Sequence, residues 1–267
     1  MELGVLGGIA KFVGVVWLGT VLAAFFAQDK LIFMPRPLGE QERQNVAARH
    51  PEAREAFIDA ADGTRLHAWH VTAANPAPLV IYFGGNAEEV SWMLDELRRQ
   101  GSNSAWLLVD YRGYGSSGGT PSEDALVSDA FAWYDAFARE NTRVFVFGRS
   151  LGSGVAVRLA SERRLDGVVL ATPFDSMVEV GKRHYPLLPV GLLLKHRFDS
   201  VSLAPKITTP LLCIASRDDE VIPVEHARRL YEAWGGEKRF VELTGGHNSV
   251  DGQADYWSAI RQFLANR

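Results

Sequence analysis

Val144-Phe145-Val146-Phe147-Gly148-Arg149-Ser150-Leu151-Gly152 carries four apolar residues straight into a G-x-S-x-G pattern, and a helix-like run, Gly154 to Ser161, follows at once. A short apolar run bounded by glycine reads as a strand buried on both faces. A serine on the sharp turn between such a strand and a helix is forced out of the sheet with its hydroxyl exposed. Small residues two positions to either side let the backbone pass closely. The free N–H groups of the helix N-terminus stand beside that hydroxyl. Ser150 is therefore the candidate nucleophile.

Outward from this turn the chain alternates between strand-like and helix-like stretches. Arg65 to Val71, Leu79 to Phe83, Ala105 to Asp110, Val144 to Gly148, Gly167 to Ala171, Leu211 to Ser216 and Arg239 to Leu243 read as strands. Ser122 to Arg139 and Val224 to Trp234 read as helices. Continuous apolar strands separated by helices predict an α/β fold with a mainly parallel sheet flanked by helices, and an early strand can pair antiparallel at one edge. Pro173 to Pro205 breaks the rhythm with prolines, aromatics and the run Leu187 to Leu194, which predicts a lid insertion over about 173–205. No low-complexity linker divides the remainder, so residues 31–267 are expected to form one catalytic domain.

The chain has 267 residues, 28 basic against 32 acidic, a formal charge of −4, and 47% hydrophobic residues. This composition excludes a disordered or collagen-like chain. The lone Cys213, set in Leu211-Leu212-Cys213-Ile214, reads as a buried small hydrophobe. With no basic stripe interleaved with aromatics, nucleic acid is not an expected partner. Leu3 to Ala27 is apolar or small except for Lys11, long enough to cross a bilayer. Its thirteen Leu, Ile, Val and Phe residues, at roughly −0.3 to −0.6 kcal/mol each, outweigh roughly +3 kcal/mol for the lysine. Residues 1–30 are thus expected to be a single-pass membrane anchor, ahead of a cleaved signal peptide or a soluble helix. Lys11, Lys30 and Arg36 are too few to orient it.

A nucleophilic serine needs a base and an orienting carboxylate, in the chain order Ser, Asp or Glu, His for this kind of sheet. Of seven histidines, His50, His67 and His70 come too early, His184 and His196 fall in the lid, and His226 lies in a helix. His247 alone follows the last strand, in Thr244-Gly245-Gly246-His247-Asn248-Ser249. The carboxylate should follow Leu211 to Ser216, where Asp218 and Asp219 stand side by side. Spacing does not choose between them, and whichever is unused stays close as a like charge. His and Cys residues are not clustered as metal ligands, so neither a metal nor an organic cofactor is expected.

Several further runs complete a pattern: Gln28-Asp29-Lys30-Leu31-Ile32-Phe33-Met34-Pro35, Tyr82-Phe83-Gly84-Gly85-Asn86-Ala87, Asp110 to Gly115 (DYRGYG), Asp219 to Pro223 (DEVIP) and Gly246 to Ser249. With the elbow, they make nearly the whole chain resemble the α/β-hydrolase fold superfamily, and in it the short-lid, membrane-anchored serine hydrolases of the serine-aminopeptidase-like branch. The resemblance implies Asp219 as the acid, with Asp218 as runner-up, and an oxyanion hole from the backbone N–H groups of Leu151 and Asn86. The family's loop commonly begins His-Gly where this one begins Gly84-Gly85, a change that keeps the amide donor. DYRGYG reads as structural, with Arg112 and Tyr114 as candidate rim residues. The implied activity is hydrolysis of an ester, thioester or amide through an acyl-enzyme, on a small-molecule acyl, lipid or peptide substrate. Aminopeptidase action, acyl transfer to an acceptor other than water and a catalytically silent binding protein are the alternatives. Ser150 speaks against dehalogenase or epoxide-hydrolase chemistry, which places aspartate at the elbow.

Overall fold

Apolar runs without polar alternation, such as Leu79 to Phe83, can bury both faces only inside a sheet covered by helices on both sides. The computed structural model, which describes residues 2–73, 77–138 and 143–266, puts them there. Among the described residues eight strands form one sheet: β1 (Ala53–Asp59), β2 (Arg65–Val71), β3 (Leu79–Phe83), β4 (Ala105–Val109), β5 (Val144–Arg149), β6 (Gly167–Ala171), β7 (Leu211–Ser216) and β8 (Lys238–Leu243). The order is β1-β2-β4-β3-β5-β6-β7-β8. β2 runs antiparallel to β1 and β4, and the others pair in parallel.

The helices are α1 (Glu2–Ile32), α2 (Glu40–Arg49), α3 (Trp92–Gln100), α4 (Glu123–Phe137), α5 (Leu151–Ala160), α6 (Met177–His184), α7 (Val190–Leu193), α8 (Ser200–Leu203), α9 (Val224–Ala233) and α10 (Ala254–Ala265). Alternation along β3 shows the layering, since successive side chains point to opposite faces. Leu79, Ile81 and Phe83 join Leu126, Trp133, Val155 and Leu230 of α4, α5 and α9. Val80 and Tyr82 join Met93, Leu97, Trp257 and Ile260 of α3 and α10.

Besides one-residue shifts at other element ends, two helix starts and one whole strand differ from expectation. The helix predicted over Ser122 to Arg139 starts at Glu123 because the Ser122 hydroxyl accepts from Ala125 N at 3.1 Å and caps it; Arg139 lies outside the described residues. The helix predicted from Gly154 begins at Leu151, directly after the serine. β1 has no counterpart among the predicted strands, because as an edge strand it buries only Ala53 fully and shows no apolar run.

Helix α1 continues two residues past the expected anchor boundary at residue 30. The lid segment between β6 and β7 carries α6, α7 and α8. Asp175 ties its base to α9, with His226 Nδ1 at 2.7 Å and Arg229 Nε donating at 2.6 Å. Burial opposes the Asp175 charge, yet His226, Arg229 and the Ser176 N–H together hold its carboxyl below the usual range.

Candidate active site

Ser150 sits at φ 50° and ψ −116°, a conformation a side chain rarely adopts and one that must be over-determined by its surroundings. Its N–H donates to Ala171 O at 2.9 Å, and its carbonyl accepts from the Ser153 N–H at 2.9 Å and the Ser153 hydroxyl at 2.6 Å. The flanking glycines are obligatory. A Cβ on Gly148 would lie 2.4 Å from Gly152 O, and one on Gly152 would lie 2.0 Å from Phe83 O. The turn therefore presses α5 against the end of β3 and aims the serine at the carboxyl edge of the sheet.

His247, on the loop after β8, meets it there. Its Nε2 lies 2.9 Å from Ser150 Oγ and its Nδ1 2.7 Å from Asp219 Oδ2. The other Asp219 oxygen accepts from the N–H groups of Val221 at 2.9 Å and Ile222 at 2.7 Å, so the tight turn of DEVIP fixes the carboxylate. Asp218 is exposed and points elsewhere, accepting from Gly245 N at 3.0 Å. Glu220 accepts from His247 N at 3.3 Å. Both neighbours of Asp219 thus steady the histidine loop from outside. Among the remaining histidines, His67 pairs with Asp110 at the antiparallel side of the sheet, His196 with Asp29, and His184 with Val221 O.

The loop after β3 brings Asn86 beside the serine. Neither the Asn86 nor the Leu151 N–H has an acceptor among the described residues. The Asn86 side chain is held instead, its Oδ1 accepting from Met34 N at 2.9 Å, Ala87 N at 3.0 Å and the Tyr114 hydroxyl at 2.8 Å. Burial pushes the Tyr114 phenol up to about 12, so it stays a donor at neutral pH. Tyr114 therefore supports the loop from behind. Arg112 is not at the rim: Asp129 takes its guanidinium at 2.7 and 2.8 Å, and Asp62 takes the remaining edge. Three anionic oxygens gather it away from the cavity.

Sequence reasoning missed Glu88 and Arg149. Glu88 Oε2 accepts from Gly85 N at 2.6 Å and from Arg149 at 2.7 Å, while Oε1 accepts from the Tyr82 hydroxyl at 2.6 Å and Trp92 Nε1 at 2.9 Å. Arg149 also donates to Asn248 Oδ1 at 3.1 Å. One buried ion pair therefore joins the loop after β3, the elbow and the histidine loop. Burial works against the Arg149 charge, but Glu88 and the neighbouring tyrosines outweigh it and raise its pKa. The signal was a charged residue at the buried end of a strand, which demands a partner.

Ser150 and Leu151 open into a cavity of about 270 Å³. Its walls are mostly apolar: Phe174, Met177 and Val180 from the lid base, Leu188, Val190, Leu193 and Leu194 from the lid's leucine run, and Val221 and Ile222 opposite. Ala24, Gln28, Leu31 and Ile32 of α1 complete it. The leucine run is divided, since Leu187 and Leu192 point outward at 82% and 89% exposure. Among the described residues no group of three or more His, Cys, Asp or Glu side chains is placed to hold a metal.

A family profile described as serine aminopeptidase, S33, matches residues 74–195, which hold the elbow, the Gly84-Gly85-Asn86 loop and DYRGYG. An α/β hydrolase domain-containing protein 17B of Xenopus laevis is 30% identical, over 85% of this chain and 81% of its own length. An uncharacterized membrane protein of Saccharomyces cerevisiae is also 30% identical, over 95% of both chains. An esterase of Pyrococcus furiosus superimposes with a TM-score of 0.68 at 20% identity, over 88% of this chain and 97% of that one. The chain belongs to the α/β-hydrolase domain-containing family. That membership carries hydrolase activity in general.

Proposed function

We propose that the protein is a serine hydrolase that cleaves an acyl ester or thioester through a covalent acyl-enzyme. The observation that carries this reading is the continuous line from Asp219 Oδ2 through His247 to Ser150 Oγ, at 2.7 and 2.9 Å, ending in an apolar cavity. Ser150 Oγ attacks the carbonyl carbon as His247 Nε2 takes its proton, and Asp219 stabilises the imidazolium. The N–H groups of Asn86 and Leu151 receive the developing oxyanion. Collapse of the intermediate breaks the bond to the leaving group, which takes the proton from Nε2. Water then attacks the acyl-enzyme, gives its proton to Nε2, and releases the acid while Ser150 regains its hydrogen.

Cavity chemistry separates the substrate classes. An aminopeptidase must hold an α-ammonium, for which a carboxylate is the natural partner, and the described lining residues include none. Aliphatic and aromatic walls instead suit an acyl chain, whose burial contributes about 0.8 kcal/mol per methylene. Labelling with a fluorophosphonate followed by peptide mass spectrometry is expected to place the adduct on Ser150. Ser150→Ala is expected to abolish both labelling and p-nitrophenyl ester turnover with the fold intact. Unchanged turnover in purified Ser150→Ala would refute the assignment.

Location belongs to the same reading. Residues Leu6–Ile32 form a helix long and apolar enough to cross a membrane, with little of it buried in the protein. The full chain is expected to remain in the membrane pellet after an alkaline carbonate wash. Recovery in the soluble fraction would count against anchoring.

A further inference from the structure

Gln28 is the only amide side chain in α1, and its position is unusual for a simple tether. It is buried, with Nε2 donating to Phe25 O at 2.7 Å and Leu193 O at 3.2 Å, and Oε1 accepting from Lys195 N at 2.7 Å. Farther up the helix, Trp17 Nε1 donates to Leu187 O at 3.0 Å. Just below, His196 meets Asp29 at 3.0 Å. Trp17, Val21, Ala24, Gln28 and Ile32 recur every three or four residues, which places them on one face of a helix. Three members of that stripe, Ala24, Gln28 and Ile32, line the cavity that contains Ser150.

Helix geometry converts these contacts into depth. From Trp17 to Gln28 is eleven residues, about 16 Å at roughly 1.5 Å per residue, and the lid follows α1 over that length. A crossing segment of about 20 residues that begins at Leu3 ends near Leu22. Trp17 then lies about 8 Å inside the hydrocarbon boundary, and a segment shifted toward the C-terminus sets it deeper. Leu187, bonded to Trp17, must share that level, and Leu187 and Leu192 are the lid's exposed leucines. About 5–10 Å is the depth at which interfacial apolar groups settle.

We propose that α1 is a wall of the acyl site, and that the seam between α1 and the lid opens sideways into the bilayer to admit a membrane-resident long-chain acyl ester. This rests on the acyl-hydrolase reading above. Such a substrate moves from lipid to cavity along apolar walls, so its chain never crosses water, and Gln28 keeps lid and helix in register.

The test uses the full chain in phosphatidylcholine vesicles, with a long-chain 4-methylumbelliferyl ester in the bilayer and p-nitrophenyl butyrate in the aqueous phase. Leu187→Asp with Leu192→Asp alters only the outer lid face, and Ala24→Trp narrows the wall contributed by α1. Each is expected to lower the ratio of bilayer to aqueous turnover at least tenfold, the outer-face pair with fluorophosphonate labelling retained. An unchanged ratio in either variant overturns the inference. Ser150→Ala in the same vesicles separates the two failures: if it stays active the hydrolase reading itself falls, whereas loss of activity together with unchanged ratios removes only the lateral route. A probe covers misfolding. Because Cys213 is fully buried, Leu192→Cys supplies the one accessible thiol for an environment-sensitive fluorophore. Quenching by nitroxide-bearing lipid supports the inference, and quenching by aqueous iodide as fast as for free dye overturns it.

Discussion

Asp219→Asn is expected to lower kcat/KM for p-nitrophenyl butyrate by about ten-thousand-fold, the loss this kind of tautomer error produces in serine triads. The local geometry gives the reason. One Asp219 oxygen is occupied by the N–H groups of Val221 and Ile222, so asparagine must keep its carbonyl there and turn its NH₂ toward His247 Nδ1. Nδ1 then becomes an acceptor, the ring proton moves to Nε2, and Nε2 can no longer take the proton of Ser150. Asp218→Asn retains an oxygen for Gly245 N and is expected to cost less than tenfold. Steady-state kinetics of the two purified variants decide the matter: equal losses, or the reverse order, would move the acid role to Asp218.

The inner strands were legible because a strand buried on both faces cannot hide its composition: Val144 to Phe147 and Leu211 to Ser216 are apolar at nearly every position. β1 was not, since an edge strand needs only one buried face and Ala53 to Asp59 spends most of its residues on solvent. Among the candidate site residues, Ser150 and His247, which the structure brings within hydrogen-bond distance, could be picked out from local pattern and chain order. Choosing Asp219 over Asp218 required knowing which carboxylate sits inside a turn, a property of backbone direction that spacing alone does not contain. Glu88 left no trace at all. It lies in a polar loop like any surface glutamate, and becomes buried only because β3 and β5 are neighbours in the sheet. Treating residues 1–30 as separable from the remainder followed from composition, which records that α1 is apolar but not that one of its faces meets the lid.

Glu88→Ala is expected to destabilise the fold by about 3–5 kcal/mol, because it strands the Arg149 guanidinium in a buried site. For a chain of this size that amounts to a fall in Tm of roughly 2 °C per kcal/mol. Activity should fall as well, for a separate reason. The Gly85 N–H loses its acceptor, the turn that presents Asn86 loosens, and a misplaced oxyanion donor typically costs about 2.7–4 kcal/mol of barrier stabilisation. A paired variant distinguishes the two effects. Glu88→Leu with Arg149→Met removes both charges and fills similar volume, an exchange that often restores stability. It leaves Gly85 N, the buried Tyr82 hydroxyl and Trp92 Nε1 without their acceptor, and Asn248 without its donor. Thermal melting should therefore recover only part of the loss, since each buried donor left unpaired costs about 1–3 kcal/mol, while kcat remains depressed at least a hundredfold and KM changes little, because the missing interaction matters chiefly in the transition state. Recovery of kcat together with Tm would mean that the ion pair only fills space between β3 and β5. Partial recovery of Tm alone would identify Glu88 and Arg149 as positioning residues, acting on the reaction through the loop that carries Asn86.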